Sequence, residues 1–429
     1  MGLTLLAGFV ILLAFGVPLA FVMGGAGLLA LLVEGEMSLL IMPQRFFHGI
    51  HAFSLMAIPF FILAADLMSA SAITTAILRF TSSLIGHIRG GLGHVNVLTN
   101  MIFAGISGSA LADAAGPGAI MMRMMQRAGY DPHYAAALSG AAATIGPIIP
   151  PSIIMVIYAI TDNQVTVGGL FIAGIVPGLL LGASLIVTNH LISRRRGYGE
   201  ARAAASWRER GRHLRAALPA LLMPLLVIGG ISSGVFTATE ASAVAVVYAL
   251  LVGTLVTRTL TPALIGKVLL QSALVTSGAL LIVAMASLFA WILTVLQLPQ
   301  TVALAIGQLT SDPLMVMLIV CVFVLVCGLF IDTLPAIIIL VPVLAPLAPA
   351  FGIDPLHFAM AIVLNLTIGL ITPPVGGVLF VISSVSRLRI EPIARAILPF
   401  IAAELLVLLL VILVPQISLW LPRTLGLAK

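Results

Sequence analysis

Thr144-Ile145-Gly146-Pro147-Ile148-Ile149-Pro150-Pro151 returns as Thr367-Ile368-Gly369-Leu370-Ile371-Thr372-Pro373-Pro374, an offset of 223 residues from Thr144 to Thr367. The same offset relates Gly129-Tyr130-Asp131-Pro132 to Gly352-Ile353-Asp354-Pro355. A looser match, Leu111-Ala112-Asp113 to Phe330-Ile331-Asp332, needs a short gap. The chain therefore carries two copies of one design. In each copy the proline pair falls near the middle of an apolar run, Ala135 to Ile160 and Phe358 to Val385. Proline has no amide hydrogen and collides with the preceding turn. Gly146 to Pro151 and Gly369 to Pro374 are accordingly predicted to be unwound, with backbone carbonyls exposed.

The surroundings of these two stretches set the class of protein. Of 429 residues, 61% are hydrophobic and 8% charged, and the mean hydropathy is +1.24. A soluble domain carries about 25% charged residues, so most of this surface faces lipid. Runs matching the roughly 20 apolar residues of one crossing recur from Leu3–Val33 to Ala394–Val414. The fold class is an all-α polytopic membrane protein. The first run, closed by Glu34-Gly35-Glu36, lacks the basic start and cleavage pattern of a signal peptide and is expected to stay as a helix. Cys321 and Cys327 lie in one apolar run and read as small buried hydrophobes.

Charge is concentrated in one place. Between Leu191 and Arg215 eight arginines face Glu200 and Glu209, a net of +6 that equals the net charge of the whole chain. The positive-inside rule makes this segment a cytoplasmic loop, and without aromatic interleaving it implies no nucleic-acid partner. Gly24-Gly25-Ala26-Gly27 has no Rossmann context and no phosphate loop occurs, so neither a cofactor nor enzyme chemistry is expected. An ion gradient is left as the energy source.

Arg79, Arg89, Arg123 and Arg127 flank the front of the first copy, whereas Asp312 precedes the second; beyond the prolines Asp162 and Asn163 answer Arg387, Arg389 and Arg395. Equivalent points thus face opposite sides, which is an inverted repeat. Residues 1–190 form the first repeat, 191–233 the basic loop and a connecting helix, and 234–429 the second repeat. The segment 90–127 carries basic residues at both ends around Gly105-Ile106-Ser107-Gly108-Ser109-Ala110 and is predicted to be a re-entrant hairpin opening inward. Its counterpart, 313–349, opens outward and turns around Gly328–Thr333. With the basic loop inside, the count is about nine full crossings plus the two hairpins.

Hairpin tips and helix breaks at mid-membrane offer carbonyls, hydroxyls and helix ends, the material of coupling-ion and substrate sites. Ser107, Ser109, Asp113, Thr144, Gly146 and Pro150 form one candidate set, and Asp332, Thr333, Asn365, Thr367, Gly369, Thr372 and Pro373 the other. Within them Ser107, Gly146, Asp332, Gly369 and Thr372 are the candidate sodium ligands. Intramembrane carboxylates are costly enough to presume a function, while Asp113 and Asp332 also read as N-caps of their second hairpin arms. Pro59 and Asp66 read as a kink and a polar packing contact, and Glu240 as part of a helix start. A self-contained carrier and a nonspecific anion channel are the alternative classes.

Ala57-Ile58-Pro59-Phe60-Phe61, Gly86-His87-Ile88-Arg89-Gly90-Gly91, Ile106-Ser107-Gly108-Ser109-Ala110, Gly146–Ser152, Gly234–Ala241 and Thr372-Pro373-Pro374-Val375-Gly376 together resemble the large membrane subunit of tripartite ATP-independent periplasmic (TRAP) transporters, the DctM-like permeases. One departure is Thr237-Ala238-Thr239-Glu240, where the family commonly has Thr-Pro-Thr-Glu. The resemblance implies a bacterial inner-membrane symporter driven by sodium, with an elevator-like transport domain. It also implies a small four-helix membrane subunit and a soluble periplasmic substrate-binding protein as partners, and organic acids as substrates: C4-dicarboxylates, sialic acid, other sugar acids or 2-oxo acids. Sodium is implied at the Ser107–Ser109 tip, the Gly146–Pro151 break, the tip around Asp332 and the Gly369–Pro374 break.

Overall fold

The structure, a computed structural model, describes residues 1–35, 37–199 and 204–427, and contains helices but no strand among them. Glu36, Glu200, Arg202 and Lys429, which enter the charge reading, lie outside the described residues. Among those described, seven helices are long and apolar enough to cross a membrane, including Val167–Arg196, Trp207–Ser232, Pro262–Val295 and Ile390–Leu413. The two proline-paired runs do not reach that length as single helices, because each is cut in two. Pro132–Ala143 is followed by Ile153–Thr161, and Pro355–Gly369 by Gly377–Ser386. The second break opens one residue later than its sequence suggests: Gly369 still closes its helix, and the irregular stretch runs from Leu370 to Gly376.

Two other expectations need correction. Leu3–Val33 is not one helix but two, Gly2–Ala14 and Leu19–Glu34, packed side by side. Gly16 takes a left-handed φ of 73° and Pro18 has no amide to continue the first helix, so the chain turns there. The basic segment is also less of a loop than its charge implies. Arg194, Arg195 and Arg196 end the helix Val167–Arg196, and Arg208, Arg210, Arg212 and Arg215 lie on the first turns of Trp207–Ser232. Ser206 and Glu209 form a capping box there, which satisfies two otherwise orphaned amides and starts the helix early. Thr237 and Glu240 do the same for Ala238–Leu251, so the alanine at 238 leaves that helix start intact.

The helices sort by their contacts. Ala57–Ala70, Ala238–Leu251, Pro262–Val295, Leu19–Glu34 and Ile41–Ile50 pack on one another. Asp66 accepts a hydrogen bond from Ser272 at 2.6 Å inside this group, which is the packing contact expected of it. A second group is built from the two hairpins, the two broken helices, and the long helices Val167–Arg196 and Ile390–Leu413. In the first hairpin Gly91–Ser107 packs against the returning arm Ala110–Arg127, with Asn96 at one level facing Met125 and Ser107 near the tip facing Asp113. In the second, Pro313–Gly328 packs against Thr333–Leu344.

Small residues set these distances. At Gly93 a Cβ would run into the side chain of Asn189, which holds Tyr134 at 2.8 Å and the Gly90 carbonyl at 3.2 Å. Gly93→Ala is therefore expected to destabilise the protein by roughly 1–3 kcal/mol, the usual cost of overpacking. A lowered midpoint in thermal unfolding of the detergent-solubilised protein checks this; an unchanged midpoint refutes it.

Candidate functional site

At the first tip, Gly91–Ser107 ends on Gly108, which takes the left-handed conformation at φ 61° that only glycine adopts without strain. Ser109 then caps the returning arm, its hydroxyl accepting from the Ala112 amide at 3.4 Å. This corrects the reading of Asp113 as the cap: Asp113 lies one turn further in and accepts a short hydrogen bond from the Ser107 hydroxyl. Its side chain is fully buried, and among the described residues its second oxygen, Oδ2, has no hydrogen-bond partner. The first break lies directly against this tip. A Cβ on Gly146 would sit 2.5 Å from Asp113 Oδ2 and 3.1 Å from the Ser109 carbonyl carbon, and one on Gly108 would strike the Pro151 carbonyl oxygen. Ser107, Ser109, Asp113 and Gly146 are thus brought together. Pro150, whose bond to Pro151 is cis, holds the far end of the break, with its carbonyl oxygen 3.7 Å from a Cβ built on Gly105.

Thr144 faces away from that cluster. Its hydroxyl donates to the Ala141 carbonyl at 2.6 Å and lies 2.9 Å from Oε1 of Glu404, a carboxyl with no solvent exposure. Glu404 is a residue that reading the sequence for hairpins and breaks missed, although the rule that singled out Asp113 applies equally to a carboxylate inside the apolar run Ala394–Val414. Asn96, Asn100 and Ser139 form a second buried group that was missed, linked by bonds of 2.7 Å and 2.9 Å. Their signal was two asparagines one helical turn apart in a hairpin arm.

At the second tip Asp332 is the N-cap of Thr333–Leu344, accepting from the Thr333 amide at 2.8 Å. The Thr333 hydroxyl reaches the Leu366 carbonyl at 3.4 Å, and Gly369 lies so close to Gly328 that a Cβ would stand 2.8 Å from the Gly328 carbonyl oxygen. Asn365 donates to the Cys321 carbonyl at 2.6 Å, and its own side-chain oxygen is buried without a partner among the described residues. Thr367 and Thr372 are turned onto their own helix, bonding Val363 and Ile368 carbonyls at 2.7 Å and 2.8 Å. Pro373 makes the second cis Pro-Pro bond.

The two tips share a cavity of about 160 Å³, lined by Gly108, Ser109, Pro147, Asp332, Thr333 and Leu370 among others. Asp332 opens into it, whereas Asp113 is closed off behind the first tip. Among the described residues neither carboxylate forms an ion pair, nor does Glu404. An uncompensated buried charge costs several kcal/mol, and buried acceptors without partners cost about 1–3 kcal/mol each. Among the described residues Asp113 Oδ2, beside the first break, and Asn365 Oδ1, inside the helix that leads into the second, are therefore unfinished hydrogen-bonding positions.

Over residues 6–417 the chain matches the family described as "Tripartite ATP-independent periplasmic transporter, DctM component". The chain belongs to that family. This large permease is 40% identical over 416 residues to the sialic acid TRAP transporter large permease protein SiaM of Vibrio cholerae, with 97% of each chain covered. It is also 40% identical over 406 residues to the C4-dicarboxylate TRAP transporter large permease protein DctM of Pseudomonas aeruginosa, with 95% of each covered. Its fold is similar to that of the YdaH transporter of Alcanivorax borkumensis, at a TM-score of 0.65 and 16% identity, over 90% of this chain and 89% of that one. The permease is an integral inner-membrane protein of a family that transports organic acids and works with a small membrane subunit and a periplasmic binding protein.

Gly146→Ala and Gly369→Ala each place a methyl group where a tip and its break now touch. Each is expected to lower organic-acid uptake about tenfold or more at normal membrane insertion. Wild-type uptake by either variant, measured in proteoliposomes, would show that the close approach is unnecessary.

Proposed function

We propose that this permease is a sodium-driven symporter that takes up a small organic acid delivered by a periplasmic substrate-binding protein. The acid is of the C4-dicarboxylate, sugar-acid or 2-oxo-acid class. The observation that carries this reading is the pairing of each hairpin tip with a helix break, with the buried Asp113 Oδ2, unpartnered among the described residues, beside the first. Sodium is a hard cation served by carbonyl, hydroxyl, amide and carboxylate oxygens. A bound ion at the first pair would compensate Asp113 and draw on Ser107, Ser109 and the carbonyls near Gly146. A second would draw on Asp332, Thr333, Asn365 and the break after Gly369, with Thr372 freed from its own helix.

The shared cavity is the natural place for the substrate. The N-terminal ends of Thr333–Leu344 and Ile153–Thr161 reach it, through Thr333 and through Ile153 and Ile154. Helix N-termini carry partial positive charge and favour anions, and sodium bound behind each tip adds to that field. Among the described residues no arginine lines the cavity, so helix ends and bound ions take the part that an arginine clamp plays elsewhere. Inverted repeats with hairpins opening to opposite sides, and an elevator-like passage of the hairpin group along the other helices, complete the proposal. A purely apolar void of about 420 Å³ between the second hairpin and Phe9, Phe289 and Leu293 is consistent with a surface built to slide.

In proteoliposomes holding both membrane subunits, uptake is expected to require the loaded binding protein and a sodium gradient. Equal uptake when potassium replaces sodium at matched voltage would remove the sodium reading. Uptake of free substrate without the binding protein would favour a self-contained carrier.

Asp332→Asn keeps the helix cap but removes the charge at the cavity mouth. It is expected to raise the half-saturating sodium concentration about tenfold, as loss of one charged contact does. A wild-type sodium titration for this variant would exclude Asp332 from the second site.

A further inference from the structure

The Thr144–Glu404 contact lies outside both ion sites yet touches the start of the first break. We infer that Glu404 is a positioning residue for the first sodium site, holding the break in register through Thr144. This inference rests on the functional reading above and deepens it.

Three observations support the assignment. Thr144 is the first residue beyond the helix Pro132–Ala143, so fixing its side chain fixes where the helix stops and where Ile145 and Gly146 begin. Its bond to Glu404, at 2.9 Å, ties that point to a helix 260 residues away in the sequence. Glu404 is fully buried in Ile390–Leu413, and that helix packs against Pro132–Ala143, Pro355–Gly369 and Gly377–Ser386 alike. One helix thus touches parts of both broken helices. Such a member is suited to keep the two breaks in step, because it cannot shift at one without straining its contacts at the other.

Among the described residues Glu404 meets the Thr144 hydroxyl, whereas Asp113 meets the Ser107 hydroxyl and lies against both the Ser109 turn and the Gly146 break, so the oxygen-rich surroundings are those of Asp113. The role left is to hold Thr144. Glutamine at 404 keeps the shape and can either accept from Thr144 or donate to it, whereas leucine removes the contact. Thr144→Val removes it from the other side at nearly constant volume.

The test is a sodium titration of uptake by the full complex in proteoliposomes, for wild type, Glu404→Gln, Glu404→Leu, Thr144→Val and the Leu/Val double variant. Glu404→Leu and Thr144→Val should each raise the half-saturating sodium concentration about tenfold, and the double variant should be no worse than either single one. Glu404→Gln should stay within about threefold of wild type. A wild-type titration for Thr144→Val, or a double variant whose effect is the product of the singles, overturns the inference. If wild-type uptake ignores sodium, the sodium reading falls, and the rate of alkylation of the Ile149→Cys variant decides the positioning role separately. Faster labelling with Glu404→Leu but not with Glu404→Gln supports it, and equal rates in all three backgrounds refute it.

Discussion

Every polar backbone group inside the hydrocarbon layer needs a partner, since no water is there to supply one. A helix meets that requirement by itself, whereas a break cannot. The rest of this molecule is arranged around the two places where the helix is given up. Within the first break the Ser152 hydroxyl donates to the Pro147 carbonyl at 2.6 Å and also caps the following helix at 3.2 Å. Within the second, the Val378 amide returns to the Leu370 carbonyl at 3.0 Å. These local closures leave several carbonyls over, and the hairpin tips cover them. Because cover must come at backbone distance, the contacts fall on glycine: Gly108 over Pro151, and Gly328 over Gly369.

The same logic explains why the polar side chains gather where they do. Serine and aspartate at the tips cap the returning arms, which brings hydroxyl and carboxylate oxygens to the two tips that meet the breaks. Such a cluster is unfavourable as it stands in a low-dielectric setting, and it becomes favourable when a cation enters. In the sodium-coupled reading proposed above, the energetic cost of interrupting two helices would be converted into affinity for an ion.

Much of this was legible in the sequence because it is written in residue types with few alternatives. Two proline pairs inside apolar runs can only be breaks, and the repeat at a fixed offset announces that the breaks are equivalent. What the sequence conceals is partner choice. Asp113 and Asp332 look alike on paper, but Ser109, directly after Gly108, takes the capping role in the first hairpin and releases Asp113 inward, while Asp332 is itself the cap of the second. Thr367 and Thr372 sit at ideal places for ligands, yet a threonine hydroxyl can always bond the carbonyl one turn back, and here both do. Glu404 went unread for a different reason. Its importance comes from Thr144, a residue so distant in the chain that only the fold brings them together.

The meeting of the two tips has a mechanical consequence. Gly377, at the start of the second half of its broken helix, packs between Leu111 of the first hairpin and Asp332 of the second, at 3.6 Å and 3.8 Å from a Cβ built there. The first hairpin is locked to the first break through Gly108 and Gly146, and the second hairpin to the second break through Gly328 and Gly369. Each lock is a backbone contact with no slack, and protein interiors at this density transmit displacement instead of absorbing it. Whatever carries one tip across the membrane must therefore carry the other, together with anything held in the cavity between them. In the sodium-coupled reading proposed above, ion and substrate would then move as one load.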